Sequence, residues 1–203
     1  MRKIDKQTPL TDFSKFVSKN HPTRWEDLPS EISSESRFSI LCNEQDCLCG
    51  YSEIILEESP ASSHIDHFYK RDLFPKKIYD WDNLIVSTID EDFGGKYKDN
   101  TYKIGKDEYA QIFNPVVDDM SQFIEFSGNG EIVPLKGLEV STISKIKNTI
   151  KVFNLNCTSL MSRRKKLISE LNDCKDLPKE DLIKAFGSYG FISVVKWFLN
   201  TLQ

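Results

Sequence analysis

Two of the three histidines in this chain fall in one short run, Ser63-His64-Ile65-Asp66-His67, and an asparagine, Asn83, closes the same unit after Tyr79-Asp80-Trp81-Asp82. The types matter more than the number. An imidazole that titrates near neutrality can take a proton from water, while a carboxylate oxygen and an amide carbonyl are hard donors suited to Mg²⁺ or Mn²⁺. His64, Asp66, His67 and Asn83 together describe a metal-assisted hydrolase site.

Such a site needs a scaffold, and the flanking sequence supplies one. Cys49-Gly50-Tyr51-Ser52-Glu53 reads as a turn into a short strand, Ile54-Ile55-Leu56, followed by a loop, a His-containing strand and a helix. Upstream, Leu10, Phe13, Phe16 and Val17 recur at helical spacing, and Ser33 to Asn43 predicts a second helix. Downstream, Phe123 to Phe126 and Glu131 to Pro134 flank Ser127-Gly128-Asn129-Gly130, which predicts a β-hairpin. Helices are then expected through Ile143 to Phe153 and Leu160 to Leu171, with a short one starting at Asp176-Leu177-Pro178. The last, Phe191 to Leu202, is apolar on more than one face and must be deeply buried or docked on a partner.

Composition narrows the class. At 203 residues, 39% hydrophobic and 29% charged, the chain can bury a substantial core and matches neither a disordered nor a membrane protein. The basic N-terminus lacks a following apolar stretch, so a cytoplasmic address is expected. Five cysteines in no disulfide spacing agree with that address. A net charge of −4 argues against non-specific coating of nucleic acid and leaves phosphate contacts to local basic patches.

His64-Ile65-Asp66-His67-Phe68 followed by Trp81-Asp82-Asn83-Leu84 resembles the Asp-His…Asn-Leu core of the HNH endonuclease superfamily. More narrowly, the chain is similar to the PtuB type of HNH protein, found in Septu anti-phage systems and their retron-associated versions beside an ATPase. Trp25-Glu26, Cys49 to Glu53, the hairpin region and Phe153-Asn154-Leu155-Asn156…Arg163-Arg164 extend the likeness over most of the chain. The resemblance implies a ββα-metal fold with a histidine on a hairpin and an asparagine on or just before the following helix. It makes His67 the general base that activates water, and Asp66 and Asn83 ligands or positioners of one Mg²⁺ or Mn²⁺. His64 is left open: it could orient the metal site, contact a phosphate, or pack on the hairpin. Asn83 has a plainer reading, with Asp82-Asn83 capping a helix that begins near Leu84.

Many HNH proteins hold a structural zinc with two C-x-x-C pairs. Here the first pair reads Cys49-Gly50-Tyr51-Ser52 and the second Thr88-Ile89-Asp90-Glu91, so three of four thiolates are missing. No structural Zn²⁺ is expected, with packing around Tyr51, Phe68 and Trp81 in its place. The position after the second pair is Asp92, which either completes an oxygen-rich metal site or is a solvated loop acid. Lys70 and Arg71, with Lys76 and Lys77, form one basic candidate for nucleic-acid contact. Gly94-Gly95-Lys96-Tyr97-Lys98 offers amides, Lys96, Lys98 and a ring for phosphate and base, and Arg163 to Lys166 is a third basic run.

The expected fold is therefore α+β: an N-terminal helical flank over 1–45, an HNH ββα-metal core over 46–105, and a hairpin with a C-terminal helical region over 106–203. The expected activity is metal-dependent hydrolysis of phosphodiester bonds, on DNA in slight preference to RNA or tRNA, with a PtuA-type ATPase as partner and no membrane. The alternative is a catalytically degenerate HNH-fold adaptor or regulatory subunit.

Overall fold

The computed structural model describes residues 1–202. Helix α1 (Thr11–Asn20) turns its Phe13 inward, where the ring meets Trp81 edge-on at 5.1 Å. Helix α2 (Ser30–Ser39) runs on into a π-helical turn, Ile40–Glu44, which carries Ile40, Leu41 and Glu44 into the interior.

Strands β1 (Ser63–His67) and β2 (Leu84–Thr88) pair antiparallel, His67 opposite Leu84 and Ser63 opposite Thr88. Leu84 does not begin a helix, as the capping reading of Asn83 required. The run Leu-Ile-Val-Ser-Thr carries three β-branched residues, Ile85, Val86 and Thr88, and is wholly buried, a composition that favours a strand. Buried Gln45 lies along its other side: its amide nitrogen donates to the Val86 carbonyl and its amide oxygen accepts the Val86 N–H, both at 2.8 Å. A side-chain amide thus satisfies backbone groups that a third strand would otherwise pair. The predicted strand Ile54-Ile55-Leu56 reduces to a single bridge between Leu48 and Ile55. After β2 the chain forms a π-helical turn, Tyr97–Tyr102, rather than a regular α-helix.

The expected hairpin is present as β3 (Ile124–Phe126) and β4 (Ile132–Pro134). Its turn requires Gly130, whose φ is +83° and where an added Cβ would lie 2.1 Å from the Met161 carbonyl oxygen. Helices α3 (Val140–Phe153), α4 (Thr158–Asp173), α5 (Lys179–Phe186) and α6 (Ile192–Thr201) follow. Arg164 of α4, read in the sequence as part of a basic run, is buried. Its guanidinium donates to the carbonyls of Gly130 at 2.6 Å and Leu155 at 2.7 Å. Val194, Val195, Phe198 and Leu199 of α6 are buried in the core, and Trp197 meets Phe126 of β3 at 5.6 Å. Buried Glu53 ties this helix to the turn near β1, accepting the Ser193 N–H at 2.9 Å and hydroxyl at 2.7 Å. Among the described residues, no helix is long and apolar enough to cross a membrane.

Candidate active site

The end of β1 opens into a cleft of about 370 Å³ lined by His64, Asp66, His67, Lys70, Arg71, Lys96, Asp99 and Asn100, with Ile65 and Asp72. Three short segments build it: β1 itself, the loop over residues 68–82, and Lys96 with the turn Tyr97–Tyr102 that follows it.

His67 is buried, and its Nε2 lies 3.0 Å from the Ile78 carbonyl oxygen. A carbonyl only accepts, so Nε2 carries the proton and Nδ1 keeps the lone pair of a neutral ring. Burial pushes the imidazole down to about 4, outweighing the Ile78 hydrogen bond and the Asp66 charge, which favour the protonated form. The indole of Trp25 stands edge-on to the ring, 4.8 Å away at 84°, and is backed by stacked Tyr79. The imidazole is therefore held on three sides: by its strand, by a carbonyl and by an indole.

Asn83 is spent on the backbone. Its Oδ1 accepts the Tyr69 N–H at 2.7 Å, and its Nδ2 donates to the carbonyls of Tyr69 at 3.1 Å and Lys77 at 2.8 Å. One side chain so closes the loop between the strands and fixes the carbonyl of Ile78, one residue beyond Lys77, against His67.

Asp66 sits on the cleft floor, 4% exposed. Its Oδ2 accepts the Tyr51 hydroxyl at 2.5 Å and stands 3.5 Å from the Lys98 ammonium. Gly95 backs directly onto it, for a Cβ there would lie 2.5 Å from Asp66 Cγ and 2.7 Å from Oδ1. Lys98, expected on a surface loop, is instead fully buried. Its Nζ donates to the His67 carbonyl at 3.0 Å, the Phe68 carbonyl at 3.3 Å and Asp99 Oδ1 at 2.7 Å. Burial by itself would lower this amine, but the Asp66 and Asp99 carboxylates outweigh it and hold it above its usual value. Burial, with the nearby Asp66 charge, pushes Asp99 up to about 6.

The expected metal ligands are not brought together. Asp92 is exposed, is not among the residues lining the cleft, and uses only its backbone groups in bonds to Asp90 and Asn154. With Asn83 committed to the loop, Asp66 alone of the three reaches the cleft. Among the described residues, no three His, Cys, Asp or Glu side chains converge as a metal site. His64 lies beside Asp66 in the cleft, and its buried Nδ1 has no hydrogen-bond partner among the described residues. Burial lowers its pKa. A predicted set of Asp66, Asn83 and Asp92 around Mg²⁺ or Mn²⁺ does not fit this geometry.

The basic candidates divide. Lys70 and Lys96 line the cleft, and Arg71 lines it while its guanidinium pairs with Glu26 at 2.7 Å. Lys98 faces inward. Where the zinc pairs would stand, Cys49 is buried with Sγ 3.7 Å from Ser87 Oγ, Ser52 and Thr88 are buried, and Glu91 is exposed. Around them Tyr51 stacks on Phe153 at 4.3 Å, and Phe68 lies 6.4 Å from the same ring. Asp99 and Asn100 in the cleft, and Trp25's contact with His67, were not legible as site features, since each arises only through tertiary packing.

No protein-family model matches this chain. The chain is 24% identical, over 86% of its length and 81% of the relative's, to an Escherichia coli protein of retron Ec83 whose name provisionally makes it an HNH endonuclease. That likeness supports the HNH superfamily and suggests a nuclease role.

Proposed function

We propose that this cleft hydrolyses nucleic-acid phosphodiester bonds, with the paired strands and the turn Tyr97–Tyr102 serving as an HNH-type core and His67 as general base. The observation that carries the reading is the bond from His67 Nε2–H to the Ile78 carbonyl, because it leaves a neutral Nδ1 free to take a proton from water. Water oxygen then attacks phosphorus, the proton passes to Nδ1, and the P–O bond to the leaving oxygen breaks, that oxygen taking a proton from solvent. Lys70, Lys96 and Arg71 line the same cleft and would offset the charge that grows on the phosphoryl oxygens. Asn83 acts one step away, by holding the loop that orients the base.

On the sequence resemblance and the retron relative, the chain is the nuclease effector of an anti-phage defence complex of Septu type with a PtuA-type ATPase partner. DNA is slightly favoured over RNA or tRNA. A second reading, a catalytically degenerate adaptor, draws on one observation: the expected metal ligands stand apart. Purified chain, alone and with its ATPase partner, separates the two when assayed on plasmid DNA and total tRNA in Mg²⁺, Mn²⁺ or EDTA. Cleavage by wild type that falls at least about 100-fold in His67→Ala supports the nuclease. No cleavage of either substrate in any arm favours the adaptor, and full activity in His67→Ala removes His67 as base.

A further inference from the structure

We propose that Lys98 is a built-in cation that stands beside Asp66 where a divalent ion would otherwise sit, so that this carboxylate is a structural counter-ion and not a metal ligand. Lys98 is fully buried, yet it is not an isolated charge: Asp66 Oδ2 lies 3.5 Å away and Asp99 Oδ1 2.7 Å, and the His67 and Phe68 carbonyls complete its shell at 3.0 and 3.3 Å. Four oxygens around one positive centre resemble what a hard cation collects. A buried charge is tolerated only when paired and hydrogen-bonded, and here both conditions are met.

Asp66 already spends one of its two oxygens on its neighbours. Oδ2 is shared between Lys98 and the Tyr51 hydroxyl, and Gly95 closes against Cγ and Oδ1. A Mg²⁺ or Mn²⁺ ion approaching this carboxylate would meet an ammonium already on it, with no third carboxylate, histidine or thiolate converging among the described residues. Repulsion between like charges and the lack of donors point the same way. Lys98 also acts on the site, as a positioning residue, because two of its bonds fix the backbone at His67 and Phe68, the point where β1 delivers the base.

The inference concerns the cleft of the nuclease reading but is tested by metal binding, so a chain that never cleaves nucleic acid still passes or fails it. Full-length wild type, Lys98→Met and Asp66→Asn are titrated with Mn²⁺, following the free ion by electron paramagnetic resonance. Removing the ammonium leaves Asp66 and Asp99 facing an empty place, so Lys98→Met is expected to bind Mn²⁺ at least about ten-fold more tightly than wild type, and Asp66→Asn in that background to abolish the gain. A folded Lys98→Met that gains no Mn²⁺ affinity overturns the proposal. If Lys98→Met does not fold, Asp66→Asn alone decides: it keeps an acceptor for Tyr51 and Lys98, and Mn²⁺ binding unchanged from wild type supports the proposal. A fall of about ten-fold or more in that variant makes Asp66 an ordinary metal ligand and ends it.

Discussion

His67 and Ile78 are eleven residues apart in sequence, and the 3.0 Å contact between the imidazole Nε2 and the Ile78 carbonyl decides which nitrogen of the ring can act as a base. The contact exists because Asn83 holds the intervening loop by three hydrogen bonds to backbone groups of Tyr69 and Lys77.

Burial of a neutral His67 makes stability depend on pH. The folded state resists protonation down to about 4, whereas the unfolded ring takes a proton near 6.5, so the unfolded state binds more protons in between. The stabilisation is fully present above 6.5 and is lost as pH falls through 4, amounting to about 3 kcal/mol. Asp99, raised to about 6, works in the opposite sense, its contribution being lost as pH rises through 6. Because Asp99 is common to both proteins, the difference between urea-melt pH profiles of wild type and His67→Gln isolates the histidine and should show the loss between pH 6.5 and 4.

On the proposed function, the same shift sets the acid limb of cleavage. With the base unprotonated down to about 4, kcat/KM for cleavage should stay flat from neutrality to well below pH 6 and bend near 4. A limb at 6.5 would place the base in a solvated setting unlike that of His67.

Asn83→Ala removes one accepted and two donated bonds and strands the Tyr69 N–H in a partly buried place. The expected cost is about 2–4 kcal/mol in denaturant unfolding, with cleavage falling more than unfolding at the assay temperature explains. Asn83→Asp should do no better, since a carboxylate cannot donate to the carbonyls of Tyr69 and Lys77.

Gly95→Ala forces a methyl into Asp66, 2.5 Å from Cγ. Neither the strand nor the buried carboxylate can retreat without breaking the Tyr51 bond, so a loss of about 1–3 kcal/mol is expected in thermal or chemical melts. Gly128, with nothing within 4 Å of its added Cβ, is the control position for steric clash.

Asp92→Ala should change stability by less than about 0.5 kcal/mol, because its exposed side chain makes no hydrogen bond among the described residues. Cleavage should stay within about two-fold of wild type for the same reason. A larger fall in cleavage by a normally folded variant would return Asp92 to the site.

Much of this protein was legible in the residue order. Helical spacing announced α1, α3 and α4, and Ser-Gly-Asn-Gly announced the β3–β4 turn, because those signals are local: a side-chain period or a backbone that must take positive φ. The cluster His64-Asp66-His67…Asn83 likewise stood out by type and spacing. Leu84 to Thr88 misled, since Asp82-Asn83 read as a cap for a helix beginning near Leu84, while the run itself, with Ile85, Val86 and Thr88, favours a strand. What the sequence by itself determined is which groups could take a proton, accept a bond or carry charge. What only the tertiary structure decided is how each is spent: Asn83 on a loop, Asp92 in solvent, Arg164 under the hairpin, Lys98 inside against Asp66. Lysine is read as a surface residue because burying its charge is costly, and that cost is offset only when Asp66, Asp99 and two carbonyls, drawn from separate elements, meet around one ammonium.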